Sequence, residues 1–261
     1  MNQSKINLKS KKEIEIMAEG GRILNEVMRI LLKNIDVGIS MIELDKLAES
    51  EIRKRNAAPS FQMVPGYKWS ICACVNEIVV HGIPDIYQAR PGDVVGIDLG
   101  VYYKGFHTDC SWTVHLIKDN DGNEKIAAFL DTGKIALDKA IEAAIVGNYI
   151  YDISRAIQTT VEKANYFVVK SLIGHGIGRN LHEPPEIPGF IKGKRENTAK
   201  IEAGLTMAIE VIYNLGTPEV DFKREDGWTI QTRDGKISGL FEATVAATDH
   251  GVILLTEKNG T

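Results

Sequence analysis

The chain repeats itself once, and that duplication constrains its fold more than any other feature. A capping box at Ser10-x-x-Glu13 opens a segment with Ile14, Met17, Leu24, Met28 and Leu31 at helical spacing, which ends near Val37-Gly38. Ser40-x-x-Glu43 opens a second helix through Leu44, Leu47, Ala48 and Ile52, and a strand region follows around Trp69 to Val80. The first half closes on a hairpin of Val94 to Tyr103 and Phe106 to Leu116, turning at Lys104-Gly105, where glycine supplies the positive φ of a tight turn. The second half repeats the order: a helix from about Glu124 to Val146, a break at Val146-Gly147, and a helix from about Asp152 to Lys163. Gly92 leads by six residues to Asp98, and Gly204 by six residues to Glu210, each at the end of an apolar run. Two halves that contribute an acid at the same strand position predict one pseudo-symmetric α+β domain with its site on the internal axis. The alternative is that two helix-pair-plus-sheet segments match by chance. The expected organisation is an N-terminal extension, 1–9, ahead of a single domain, 10–255, whose repeats run about 10–120 and 121–255.

Composition fits a water-soluble chain with a large core, at 44% hydrophobic and 25% charged residues. The net charge of −4 is spread along the sequence, so there is no basic stripe to hold nucleic acid and no polybasic membrane anchor. The N-terminus is polar, without the apolar stretch of a secretion signal, and no run of about 18 apolar residues offers a membrane span. Three cysteines, Cys72, Cys74 and Cys110, are an odd number that predicts free thiols in a reducing, cytoplasmic compartment. Cys72-x-Cys74 is a soft-metal pattern, but two thiolates alone rarely make a site, and buried strand cysteines are the favoured reading.

The chemistry resides in acids placed where acids are costly. Asp98 lies in Val95-Gly96-Ile97-Asp98-Leu99-Gly100, an apolar strand in which a carboxylate needs a positive neighbour. If the turn is Lys104-Gly105, residue 103 faces 106, so Asp109 faces Gly100 and shares a sheet face with Asp98, one diagonal step away. A cation between them would hold two acids that otherwise repel. Glu210 in Met207-Ala208-Ile209-Glu210-Val211 and Glu242 in Gly239-Leu240-Phe241-Glu242-Ala243 also interrupt apolar strands. His175 sits in the glycine-rich Gly174-His175-Gly176-Ile177-Gly178, which permits close backbone approach to a site but equally describes a turn. Four carboxylates and one imidazole form a hard site suited to Mn²⁺, Fe²⁺, Co²⁺ or Zn²⁺. Four anions exceed the need of one ion. They match hydrolases in which two ions, about 3.5–4 Å apart, hold a bridging hydroxide and polarise a scissile carbonyl.

At these residues the sequence resembles the type I methionine aminopeptidases, members of the M24 metallopeptidases. The likeness rests on Val75-Asn76-Glu77-Ile78-Val79-Val80-His81-Gly82-Ile83-Pro84, on Ile97-Asp98-Leu99-Gly100 with His107-Thr108-Asp109, on Gly174 to Glu183, on Asp226-Gly227-Trp228-Thr229 and on Phe241-Glu242-Ala243-Thr244. It implies a pita-bread fold, two halves around a curved antiparallel sheet with helices outside. It implies that Asp98, Asp109, His175, Glu210 and Glu242 bind two divalent metal ions, with Glu210 also the proton shuttle. His81 would place the substrate amine or scissile amide nitrogen, and His182 would hydrogen-bond the carbonyl oxygen as it becomes an oxyanion. Phe61, Tyr67, Cys72, Leu181 and Trp228 match the methionine side-chain pocket. Asn76, Ile78 and Ser238 match a structural monovalent-cation site for Na⁺ or K⁺. The implied reaction removes N-terminal methionine from peptides and nascent chains with a small second residue. Ribosome association rests on this resemblance alone, and a monomer is expected.

Four positions depart from the pattern: Val211 for the proline after the fourth ligand, Ala243 for the histidine after the fifth, Leu181 for an aromatic residue, and Lys68 for the proline after Tyr67. They bear on the shape of the pocket and the strictness for methionine. Two rival readings remain open. An Xaa-Pro peptidase of the same fold usually carries a large extra N-terminal domain, and a catalytically silent protein- or RNA-binding relative would be expected to have lost ligands. A type II enzyme would need a helical insertion for which there is no room between His182 and Glu210.

Overall fold

The computed structural model describes residues 6–117, 124–223 and 225–257. The first half runs α1 (Lys11–Asn34), α2 (Met41–Lys54), β1 (Ala58–Pro59), β2 (Ile71–Val75), β3 (Ile78–Val80), β4 (Val94–Tyr103) and β5 (Phe106–His115). The second half runs α3 (Glu124–Ala143), α4 (Ile150–Lys163), β6 (Phe167–Val168), β7 (Ile173–Gly176), β8 (Glu183–Pro188) and β9 (Thr206–Asn214). It finishes with β10 (Val220–Phe222), β11 (Ile230–Thr232), β12 (Ser238–Thr248) and β13 (Gly251–Leu254). The strand region expected around Trp69 to Val80 consists of β2 and β3, and Asn76, at φ +54°, turns the chain between them.

Both predicted capping boxes form. Glu13 accepts the Ser10 N–H at 2.9 Å and Glu43 accepts the Ser40 N–H at 2.8 Å, each satisfying a donor that the first helical turn would leave unpaired. The last helix begins at Ile150, two residues before the predicted start, and Asp152 caps it by accepting the Tyr149 N–H at 3.0 Å.

A ten-stranded sheet carries the order β1-β4-β5-β12-β9-β7-β8, with β2 added to β4, β13 to β12 and β6 to β9; β10, β11 and β3 form a second, three-stranded sheet. Every registered pair in both is antiparallel. Alternation along the long strands divides the faces. Ile97 and Leu99 in β4, Ile209 and Val211 in β9, and Phe241 and Ala243 in β12 join one apolar core with Leu24, Met28 and Leu31 of α1, Phe129 and Leu137 of α3, and Ile153 and Ile157 of α4. The residues between them, Asp98, Glu210 and Glu242, therefore point to the face away from that core.

The halves use matching backbone bonds. Gly38 N–H donates to Ala89 O at 2.7 Å and Gly147 N–H to Ile201 O at 3.0 Å, so each helix pair is tied to the approach to its long strand in the same way. Gly92 N–H donates to Leu116 O at 2.7 Å and Gly204 N–H to Ala247 O at 2.9 Å. Asp98 and Glu210 are each the fifth residue of their strand.

Candidate active site

Strand register alone assembles the site. The β4–β5 hairpin pairs Tyr103 with Phe106 and Gly100 with Asp109, the register that a Lys104-Gly105 turn predicts; those two residues take φ +46° and +91°. The same ladder sets Asp98 opposite Ser111, Ser111 is opposite Glu242, and Glu242 is opposite Glu210. Cys72 on β2 extends this row beyond Asp98. One step along the sheet, a second row holds Gly100 and Asp109 on β4 and β5, then Thr244, Ala208 and His175 on β12, β9 and β7. Directly opposed residues share a face, as do residues two apart on one strand, so all five side chains converge on the face away from the helices.

His175 reaches that face because its neighbours have no side chains. A Cβ at Gly174 would come within 2.5 Å of Ala208 O, and one at Gly176 within 2.4 Å of Pro184 O, so β7 lies closer to its neighbours than any larger residue allows. Donor atoms of Asp109, His175 and Glu242 lie within 4.8 Å of one another. Glu210 Oε1 stands 3.6 Å from His175 Nε2. The His175 Nδ1–H donates to Gly176 O at 2.8 Å, which leaves the lone pair on Nε2, the nitrogen facing the acids.

Electrostatics favour a cation. Burial pushes the Asp98 carboxyl up to about 7, and burial together with neighbouring acids pushes Asp109, Glu210 and Glu242 well above the usual carboxylate range. Burial, with the adjacent His182 adding to it, lowers His175 to about 4, so its imidazole is neutral at pH 7. Asp98 Oδ1, Asp109 Oδ1 and Glu242 Oε1 are buried and accept no hydrogen bond. Buried acceptors are rarely left that way, and a divalent ion would satisfy all three. The oxygen-rich set with one neutral nitrogen fits a first-row divalent metal. The thiols do not compete for it: burial raises Cys74 to about 12, and burial with the nearby Asp98 lifts Cys72 well above the usual thiol value, so both stay protonated.

His182 stands at the rim with its ring 4.4 Å from that of His175, nearly edge to face at 74°. His81 takes a left-handed backbone, φ +54°, a strained conformation for a residue with a side chain. Solvent reaches its ring, yet the surrounding cleft desolvates it enough to lower its pKa, and the nearby His182 adds to this.

Beside the acids, Phe61, Tyr67, Cys72 and Leu181 are buried in one apolar cluster, and Trp228 packs against it half-buried. Tyr67 is its centre: its ring lies 6.3 Å from Phe61 and 5.1 Å from Trp228, and its hydroxyl donates to Ile71 O at 2.7 Å. The expected pocket residues are thus together. Cys74, Val64, Trp69 and Ile83 join them without having been expected there; only Cys74 carried a signal, since it shares strand parity with Cys72. The group at Asn76 and Ser238 is also adjacent, with Ser238 N–H donating to Asn76 O at 2.9 Å, while Ile78 pairs with Gln231. Both Asn76 side-chain groups are engaged within the protein, Oδ1 by Val94 N–H and Nδ2 by Asp93, each at 2.9 Å.

Another pair went unnoticed in the sequence: Ser60 Oγ lies 2.5 Å from His107 Nδ1, both buried.

The profile of metallopeptidase family M24 matches residues 15–249. A methionine aminopeptidase of Clostridium perfringens is 40% identical over 251 residues, 96% of this chain and 98% of that one. The crystal structure of a methionine aminopeptidase from Thermotoga maritima superposes with a TM-score of 0.90 at 33% identity, covering 97% of this chain and 100% of the other. That from Rickettsia prowazekii reaches 0.92 at 30% identity, with the same coverage. Among the described residues no helix is long and apolar enough to cross a membrane. With a matching profile over most of its length, near full-length relatives, and the sheet and helices of their fold, the chain belongs to metallopeptidase family M24 and groups with its methionine aminopeptidases.

Proposed function

We propose that this protein hydrolyses the bond after an N-terminal methionine in peptides and nascent chains, preferring a small second residue. The observation that carries the reading is the pair of adjacent rows that brings Asp98, Asp109, His175, Glu210 and Glu242 onto one sheet face, with three carboxylate oxygens buried and unpaired, beside a cluster of apolar side chains. Family membership implies divalent metal ions. Those five residues would hold two of them, of Mn²⁺, Fe²⁺, Co²⁺ or Zn²⁺. When bound, the metals supply Lewis acidity, polarising the scissile carbonyl and lowering the pKa of the attacking water.

The remaining work falls to side chains. The cluster around Tyr67, with Phe61, Cys72, Leu181 and Trp228, accepts the methionine side chain, whose thioether packs well against aromatic edges. Glu210 takes the proton from the attacking water and returns it to the leaving amine. His182 donates to the carbonyl oxygen as negative charge develops there. His81 orients the substrate amine or scissile nitrogen. A monovalent ion, Na⁺ or K⁺, at Asn76, Ile78 and Ser238 is part of the same reading. So are the division into an extension, 1–9, and one domain, 10–255, with repeats 10–120 and 121–255, and a monomer acting in the cytoplasm near the ribosome.

The test is release of free methionine from Met-Gly-Met-Met by metal-stripped protein reloaded with Mn²⁺, Co²⁺ or Fe²⁺, with Xaa-Pro peptides alongside. Metal-dependent methionine release is the expected result. Cleavage of Xaa-Pro peptides alone, or none with any metal, would overturn it.

A further inference from the structure

The loop that carries His182 is fastened at both ends to the N-terminal segment. At its start, Arg179 donates to Glu13 Oε1 at 2.8 Å and lays its guanidinium 4.6 Å from the centre of the Phe106 ring. Glu13 is the acid of the α1 capping box, so one carboxylate starts the helix and anchors the loop. At the far end Glu183, the residue after His182, forms a buried ion pair with Lys9, the two side chains being 5% and 2% exposed. Its other oxygen accepts the Asn180 N–H at 3.1 Å, which closes the loop on itself.

Lys9 is itself rigidly held. Its N–H donates to Gly204 O at 2.7 Å and its ammonium also donates to Asn7 O at 2.8 Å. The side chain crosses the loop at Gly178 so closely that a Cβ there would come within 2.2 Å of Lys9 Cε. Net stability is a weak explanation for such a pair, because burying two charges costs about what their attraction returns. A fixed geometry is a better one. Glu183 begins β8 opposite Gly176, just past the register shift at His175/Gly176, so the place where the Glu183 carboxylate is held decides where the preceding imidazole lies over His175.

We infer that Lys9 is a positioning residue for the reaction: through Glu183 it sets the orientation of His182, and so acts on the transition state rather than on substrate binding. The inference rests on the reading of His182 as the donor to the scissile carbonyl. A lysine just ahead of the first helix thereby becomes part of the catalytic geometry without touching substrate.

The experiment compares the Mn²⁺-loaded wild type, Lys9→Met, Lys9→Arg, His182→Ala and the Lys9→Met/His182→Ala double variant on Met-Gly-Met-Met, with a melting curve for each. Lys9→Met is expected to lower kcat by about 10- to 100-fold, the scale of a misplaced catalytic group, with KM nearly unchanged. Lys9→Arg is expected to recover much of that loss. The double variant should be no slower than His182→Ala alone, since nothing is left to position. Additive losses in the double variant, or a folded Lys9→Met with wild-type kcat, would overturn the inference. Should Lys9→Met fail to fold, Glu183→Gln, which keeps one oxygen to accept the Asn180 N–H but turns an amide donor toward the Lys9 ammonium, carries the same comparison. A wild type that releases no methionine sinks the functional reading instead, which separates the two failures.

Discussion

Glu210 and Glu242 stand directly opposite each other on β9 and β12, two carboxyl groups side by side in the middle of one sheet. Opposed residues in an antiparallel pair have Cβ atoms about 4.5–5.5 Å apart, so like charges there repel strongly unless a cation or a proton intervenes. Removing one of them should therefore separate folding from metal binding. Glu242→Gln, stripped of metal, is expected to melt at or above the wild-type temperature. Saturating Mn²⁺ should raise the wild type by about 5–10 °C, the scale of ligand linkage in a domain of this size, and leave the variant nearly unmoved. Scanning calorimetry with and without chelator checks both; a variant stabilised like the wild type would exclude Glu242 as a ligand.

His175 supplies a nitrogen within reach of the acids, through an Nε2 whose tautomer is fixed by Gly176 O. His175→Ala is expected to abolish turnover while the circular dichroism spectrum stays that of the folded protein. Full activity in a folded variant would remove the metal centre from the mechanism.

His182 lies at the rim, so its truncation leaves the core untouched. His182→Ala is expected to reduce kcat by about 10²–10³, as loss of an oxyanion donor does elsewhere, with KM changed little. Steady-state kinetics on Met-Gly-Met-Met decide it, and a rise in KM alone would make His182 a binding residue.

Trp228 packs half-buried against the apolar cluster proposed to take the methionine side chain, 5.1 Å from the Tyr67 ring. Trp228→Ala should weaken kcat/KM for methionine substrates by about 2- to 10-fold through lost thioether–aromatic contact, and narrow the advantage of methionine over leucine at the first position. Competition between Met-Gly and Leu-Gly peptides measures the ratio directly.

Asp152 holds the start of α4 to the loop at Arg195, its two oxygens sharing the single Arg195 Nε–H at 3.0 and 2.8 Å. The Arg195 guanidinium lowers the Asp152 pKa, the Tyr149 N–H adds to that, and partial burial opposes both. A folded pKa below the unfolded value of about 3.9 means the stabilisation is complete above that pH and lost as pH falls through the folded pKa. Asp152→Asn should therefore lower Tm at pH 7 and lose less between pH 4 and pH 2 than the wild type, as melting curves across that window would register.

Much of this was written in local sequence. The capping boxes at Ser10 and Ser40, the Lys104-Gly105 turn and the strand alternation around Asp98 are short-range signals, and the register linking Asp109 to Gly100 follows from one tight turn. The facing of Glu242 on Glu210 was not legible, because it depends on which two of many strands become neighbours across a long loop. The presence of Cys74, Trp69, Val64 and Ile83 in the cluster around Tyr67 was missed for a related reason: such a cluster takes any apolar residue that the fold delivers there. Lys9 looked like the exposed lysines 11 and 12 beside it, and only the path of the chain past Gly178 sets it apart.

The strand order also dictates a schedule. β12, the last long strand made, lies between β5 of the first half and β9 of the second. While the chain is being synthesised, β5 is finished long before its partner exists, an interval of roughly 6–25 seconds at 5–20 residues per second. For that time the leading half presents an open strand edge, the kind of surface on which neighbouring chains pair and aggregate. The join between the halves, and every function that needs acids from both, thus waits for β12 to emerge.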